Sequence, residues 1–169
     1  MPLTRLLTIG YEGADPRDFL ATLATLGVTS LLDIRELAIS RRKGFAKTAL
    51  REGLASVDIA YRHEPRLGSP KPIRDQLRSD NDYSRFFKDF ERYLATQRLL
   101  LDSLADELTG TVVLLCYERD YTQCHRRAVA EALRQITGIV PKHHGVQPYD
   151  RRQTLAHSRP HPGQGISAA

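Results

Sequence analysis

Residues 6–34 read LLTIGYEGADPRDFLATLATLGVTSLLDI, and the fold class follows from them. Leu6 to Gly10 is a short apolar run closed by a glycine, the pattern of a buried strand. Asp15-Pro16 then marks a helix start, with Asp15 as N-cap, Pro16 at the first helical position and Asp18 in the first turn. Phe19, Leu20, Leu23 and Leu26 recur at helical spacing, and Gly27 stops the helix. Val28 to Ile34 reads as a second strand. Strand, helix and strand in such a short span make a β-α-β unit, which requires parallel strands and a right-handed crossover.

The rest of the chain extends this plan. Phe45, Leu50, Leu54 and Val57 predict a helix, and Ile59 to Tyr61 a short third strand. Residues 64–80, rich in Pro, Gly, Arg and Lys, predict a long loop. Phe86, Phe90, Leu94, Leu101, Leu104 and Leu108 form one stripe, predicting a single long helix over 83–108. Thr111 to Cys116 is the clearest buried strand in the chain. A helix follows over Arg126 to Ile136, closed by Gly138, and Ile139-Val140 opens a last short strand. The expected fold is a single small α/β domain over 1–147, a mostly parallel sheet of four or five strands flanked by helices. Residues 148–169, dominated by Arg, His, Pro, Gly and Ser, predict a flexible basic tail carrying His157 and His161.

Composition narrows the class. With 169 residues, 41% apolar and 27% charged, the chain is neither a disordered nor a collagen-like sequence. Its 2 cysteines do not make a disulfide framework and fit a reducing compartment. The longest strongly apolar run, Val112 to Tyr117, is far short of the roughly 20 residues of a membrane span, and the N-terminus lacks a signal-peptide pattern. The expectation is a cytoplasmic protein with no membrane partner. Net charge is +5, and residues 35–78 carry eleven Lys/Arg against five acids. So concentrated a basic segment points to a phosphorylated small molecule or a nucleic acid as partner, or to a basic surface kept for solubility.

In a parallel α/β sheet, ligands bind outside the carboxyl ends of the strands. Those ends carry Tyr11, the Asp33-Ile34-Arg35 strand end, His63, and Cys116 followed by Glu118. Asp33 and Arg35 alternate with Ile34, so both face one way, as an acid/base residue beside its Arg or as a structural ion pair. Ser40-Arg41-Arg42-Lys43-Gly44 suits phosphate contacts, and Phe45 either stacks on a base or packs in the core. Cys124-His125-Arg126 stands at a helix start, where a thiol pKa is lowered and an anion can bind. Cys124 is the candidate nucleophile, and Asp33 and Glu118 are the candidate acid/base groups. Arg35, Arg41, Arg42 and Arg126 are the candidate phosphate ligands, with Tyr11, Phe45, His63, Cys116 and His125 around them. Cys116 also reads as a small core residue.

Several sharper motifs are absent. There is no P-loop and no Gly-x-Gly-x-x-Gly. The phosphatase signature needs an arginine six residues after the cysteine, where Thr122 and Ala130 stand instead. A zinc site can be drawn from Cys116, Cys124, His125 and either His143 or His144, but not at zinc-finger spacing. The spacing thus demands no metal and names no cofactor, and the sequence assigns no oligomeric state.

The same residues carry a resemblance to the domain of unknown function 488 family. The matching segments are Thr8-Ile9-Gly10, Leu32-Asp33-Ile34-Arg35, Ser40-Arg41-Arg42 with Phe45, and Tyr61, His63 and Pro65 with Leu67-Gly68. The most specific is Leu114-Leu115-Cys116-Tyr117-Glu118-Arg119, followed by Cys124-His125-Arg126 and the helix from Ala130. The resemblance spans about residues 6–146 and implies a small prokaryotic α/β domain with no assigned activity. Members of that family often carry His-Ser after Thr-Ile-Gly; Tyr11-Glu12 stands here. The strand Leu31 to Arg35 is also similar to that of rhodanese domains, but their compact glycine-containing loop is missing after Cys116. Three functions fit these residues. The leading one is an enzyme with an Arg/Cys/carboxylate cleft acting on a nucleotide, nucleic acid or other phosphorylated substrate. The alternatives are a non-catalytic nucleic-acid-binding module and a thiol-dependent sulfur-transfer or redox protein.

Overall fold

The computed structural model describes residues 2–148. The predicted tail over 148–169 therefore lies, apart from its first residue, outside the described residues. Five strands form one sheet in the order β3-β2-β4-β1-β5, and every pairing is parallel. They are β1 (Leu3–Gly10), β2 (Ser30–Asp33), β3 (Ala60–His63), β4 (Gly110–Cys116) and β5 (Lys142–His144). The helices are α1 (Pro16–Thr25), α2 (Lys47–Ala55), α3 (Lys71–Asp80), α4 (Tyr83–Ala95), α5 (Arg98–Glu107) and α6 (Arg126–Thr137). The protein is a single small α/β domain, as the β-α-β unit at its start requires.

Alternation along the buried strands assigns the two faces. Leu7, Ile9, Leu31, Val113 and Leu115 point to the side of α1 and α2, where Phe19, Leu23, Leu50 and Leu54 complete one core. Leu6, Leu32, Val112 and Leu114 point the other way, into a core with Phe90, Leu104 and Leu133 from α4, α5 and α6. A sheet covered on both faces needs apolar side chains of both parities, which is why β4 reads as a continuous hydrophobic run.

Asp15 caps α1 as its position implies, its carboxylate accepting from the N–H groups of Arg17 and Asp18. Asp15→Ala is expected to cost about 1 kcal/mol. A thermal melt should show this as a drop in Tm of about 2–4 °C, and an unchanged Tm would remove the cap from the account.

Three elements differ from expectation. The predicted loop 64–80 contains a 3-10 turn (Pro65–Leu67) and the whole of α3. No residue of α3 is buried, and only Ile73 and Leu77 pack partly against the core, so it carries little hydrophobic signal. Pro70 at its N-cap and Pro72 in its first turn serve as a start signal rather than as breakers. The predicted helix 83–108 is two helices, broken at Thr96-Gln97 where the apolar stripe lapses. The last strand forms at Lys142–His144, beyond Ile139-Val140, because pairing with Leu7 to Ile9 fixes its place.

The chain leaves β2 toward β3 and leaves β4 toward β5, in opposite directions across the sheet. The gap beyond the carboxyl ends of these neighbours is therefore the switch point at which ligands bind in such sheets. The backbone stays paired past the strands, with Ile34 N–H donating to Leu115 O (3.2 Å) and Glu12 N–H to Tyr117 O (2.8 Å). Residues 11–12, 34–35 and 116–118 thus come together at one edge.

Candidate functional site

The chain from β4 to α6 folds back on itself, and Arg126 holds it there. Arg126 is 1% exposed. Its guanidinium donates to the carbonyls of Glu118 and Arg119, and Nε donates to Thr8 Oγ1 at 3.2 Å. These bonds fix the turn over Tyr121–Gln123 and bring Cys124 and His125 back over the end of β4. Arg126 therefore faces backbone carbonyls inside the loop and does not line the cleft described below.

Four functional groups meet under that turn. The Cys116 thiol donates to Glu118 Oε2 at 2.8 Å, and the Cys124 thiol donates to the same oxygen at 3.2 Å. His125 Nδ1 lies 3.5 Å from Cys116 Sγ and 3.9 Å from Cys124 Sγ. His125 Nε2 lies 2.9 Å from Ile34 O. A carbonyl only accepts, so Nε2 carries a proton, and in the neutral ring the Nδ1 lone pair faces the thiols. The ring is also held edge-on by Phe90, at 5.3 Å between centroids. All four donor atoms, from Cys116, Glu118, Cys124 and His125, lie within 4.8 Å of one another.

Burial governs the chemistry of the cluster. It pushes the Cys116 thiol up, and burial with Cys116 alongside pushes Cys124 well up. The expectation of a lowered thiol pKa at Cys124 is thus reversed: its sulfur faces a carboxylate and a second thiol, and burial penalises the thiolate. For Glu118, burial is outweighed by His125 and the two thiol bonds, which hold its carboxyl below the ordinary value. For His125, burial is outweighed by Cys124 and Glu118, which hold the imidazole above its ordinary value.

The cluster forms part of the floor of a cleft of about 600 Å³. Cys116, Glu118 and His125 line it, with Tyr11 and Tyr117 beside them. Five arginines line it as well (Arg35, Arg41, Arg42, Arg74 and Arg78) against two acids, Glu36 and Glu118. Arg42 donates to Ala14 O, and Arg74 is bound to Glu36 and to Ser69 O. Arg41 is exposed and makes no ion pair among the described residues. Exposed Leu37, Ile39 and Tyr117 form an apolar edge.

Other expected site residues have different places. Asp33 is fully buried and acts as an acceptor: Arg35 donates to it from Nε (2.8 Å) and Nη2 (2.6 Å), and Tyr61 from its hydroxyl (2.7 Å). Arg35 also donates to Tyr11 Oη and to Phe45 O, so this pair ties β2 to the loops after β1 and before α2. Phe45 is fully buried and stacked on Tyr11 at 4.5 Å, which leaves it no face for a base. His63 binds the Arg35 carbonyl through Nε2 at 2.7 Å and does not line the cleft. His143 is not part of the cluster; it bonds Thr8 Oγ1 at 2.7 Å and stacks on Tyr121. Sequence reasoning missed Arg74 and Arg78 because they sit on α3, which reads as a loop, and missed that Glu118 joins both cysteines.

Fold and site together define a small parallel α/β protein with an arginine-lined cleft above a Cys-Glu-Cys-His cluster. Residues 15–133 match the family described as Domain of unknown function DUF488, and the chain belongs to that family. The matched span contains Asp33-Ile34-Arg35, Ser40-Arg41-Arg42 and the segment from Cys116 to Arg126, and leaves out Thr8-Ile9-Gly10. No curated protein and no solved structure matches the chain. Among the described residues, no helix is long and apolar enough to cross a membrane.

Proposed function

We propose that the cleft binds a phosphorylated small molecule of nucleotide type and that the protein is an enzyme acting on it. The observation that carries this reading is the excess of arginine around the cleft, at the switch point of a parallel sheet. Arg41 and Arg42 come from the loop after β2, and Arg74 and Arg78 come from α3, where they pair with Glu36 and Asp75. Guanidinium groups supplied by two elements suit a phosphate, which accepts bidentate bonds. Ser69 adds a second support. It is one of the residues around the cleft, is 4% exposed, and its hydroxyl has no hydrogen-bond partner among the described residues. A buried hydroxyl without a partner carries a desolvation cost that a ligand oxygen would remove. Tyr117 and the apolar edge offer a surface for a base or another flat group.

The size of the cleft favours a small ligand over a nucleic-acid duplex, since small-molecule sites run to about 300–1,000 Å³. The test is a thermal-shift panel of phosphate, sulfate, mononucleotides and short oligonucleotides at low and high salt. Ligands that bind only the native state raise its stability, by about 2.7 kcal/mol at a hundred times Kd. A mononucleotide shift that survives high salt is the expected result. A shift with oligonucleotides alone, erased by salt, would favour a nucleic-acid-binding module instead. Arg41→Ala is expected to weaken mononucleotide binding about tenfold, the loss of one charge-assisted contact, with no change in the ligand-free melt. Unchanged affinity would remove Arg41 from the site.

A further inference from the structure

We propose that Cys116, Cys124, His125 and Glu118 form a binding site for a zinc-type divalent cation at the floor of the cleft. The argument starts from the donor set. Two sulfurs, one imidazole nitrogen and one carboxylate oxygen are the ligand types of tetrahedral zinc, and soft thiolates select against magnesium and calcium.

The spacing agrees. Tetrahedral zinc, with metal–sulfur bonds near 2.3 Å and metal–nitrogen bonds near 2.0–2.1 Å, places sulfur and nitrogen about 3.6 Å apart. His125 Nδ1 lies 3.5 and 3.9 Å from the two sulfurs. Glu118 Oε2 is closer to the sulfurs, at 2.8 and 3.2 Å, because two thiol protons now bridge them. Binding replaces those protons: Zn²⁺ forms two metal–sulfur bonds, two S–H bonds break, and two protons leave to solvent. The carboxylate then recedes by under about 1 Å to reach the tetrahedral spacing.

The surroundings are those of a metal ligand shell. His125 is oriented by its Nε2–H bond to Ile34 O, which presents Nδ1 as the ligand atom, the outer-shell device that metal-binding histidines use. The Arg126 backbone N–H points at Cys124 Sγ at 3.5 Å and would stabilise the thiolate. Both cysteines and the histidine are buried, and Cys116, Glu118 and His125 border the cleft. The cation would therefore be reachable from the space a ligand fills, unlike a wholly enclosed structural site. The inference rests on the cluster alone and does not depend on a phosphorylated ligand.

The experiment is a titration of the full-length, chelator-treated chain with Co²⁺ under a phosphine reductant, followed by displacement with Zn²⁺. The expected result is one Co²⁺ per chain, with the intense visible bands of tetrahedral cobalt and a sulfur-to-cobalt charge-transfer band, all abolished by one equivalent of Zn²⁺. Cys116→Ser is expected to remove most of the charge-transfer intensity. It should weaken binding by more than the roughly 10–100-fold that outer-shell changes cost. If that variant fails to fold by circular dichroism, the half-buried Glu118→Gln replaces it, with weakened binding and an altered visible spectrum expected. A weak, six-coordinate cobalt spectrum in the wild type would overturn the proposal, as would a tetrahedral spectrum unchanged in the folded variant. Arg41→Ala is expected to bind Co²⁺ like the wild type, so the two proposals fail separately.

Discussion

Asp33→Ala is expected to cost the fold about 3–5 kcal/mol, read from urea denaturation. The carboxylate has no exposed surface, and its partner Arg35 is 6% exposed. Two guanidinium bonds, the Arg35 backbone N–H (3.2 Å) and the Tyr61 hydroxyl converge on it. The carboxylate and hydrogen bonds hold the Arg35 cation firmly protonated against the opposing effect of burial. Remove the carboxylate, and a buried cation and a buried hydroxyl both lose their acceptor. Tyr61 is itself pushed above the ordinary phenol range, by burial first and by its bond to Asp33 second. Replacing both ion-pair partners by apolar residues of similar size should recover much of the loss, because the second buried charge is then gone too. A cost of under about 1 kcal/mol, the value of an exposed pair, would show that the interaction is solvated in solution.

Gly10→Ala is expected to do more damage than the 1–3 kcal/mol of ordinary overpacking. A Cβ at this position would lie 1.8 Å from Glu118 O, 2.6 Å from Glu118 C and 2.8 Å from Arg126 Nη1. The first two are backbone atoms, so no rotamer change relieves the clash. The carbonyl cannot retreat freely, because Arg126 Nη1 donates to it while Nη2 holds Arg119 O. The segment after β4 would have to move as a unit and carry Glu118 away from the two sulfurs. Gly10→Ala should therefore lower the denaturation midpoint and weaken Co²⁺ binding together. Wild-type values for both would mean that the close approach of β1 to this segment is not maintained in solution.

These effects lie at places that the sequence marked in different degrees. Gly10 was legible as a strand end, but its second role, leaving room for a carbonyl more than 100 residues away, was not. Asp33 and Arg35 were legible as a pair because a strand alternates and they stand two apart. That both would be buried, with Tyr61 and Phe45 completing the pair, depended on β3 and the loop before α2 closing over them. Arg126 shows the opposite failure. A cation at a helix start reads as an anion ligand, yet it is consumed by two backbone carbonyls and a threonine hydroxyl. Local sequence cannot reveal whether a guanidinium finds acceptors within its own fold.

The parallel sheet, its two covered faces and the edge that carries the candidate site residues were legible in the residues alone. Those properties follow from short-range facts: a period of two, helical spacing, and the handedness of one β-α-β crossover. Which side chains meet at that edge depends on how the layers pack. Cys116 and Cys124 are eight residues apart and show no metal spacing. They share Glu118 Oε2 because Arg126 folds the intervening turn back over β4. α3 brought Arg74 and Arg78 to the cleft from a stretch too polar to announce a helix, because few of its contacts are hydrophobic. Periodicity registers burial, whereas the site is made of groups whose partners are distant in the chain, and those pairings exist only once the layers have packed.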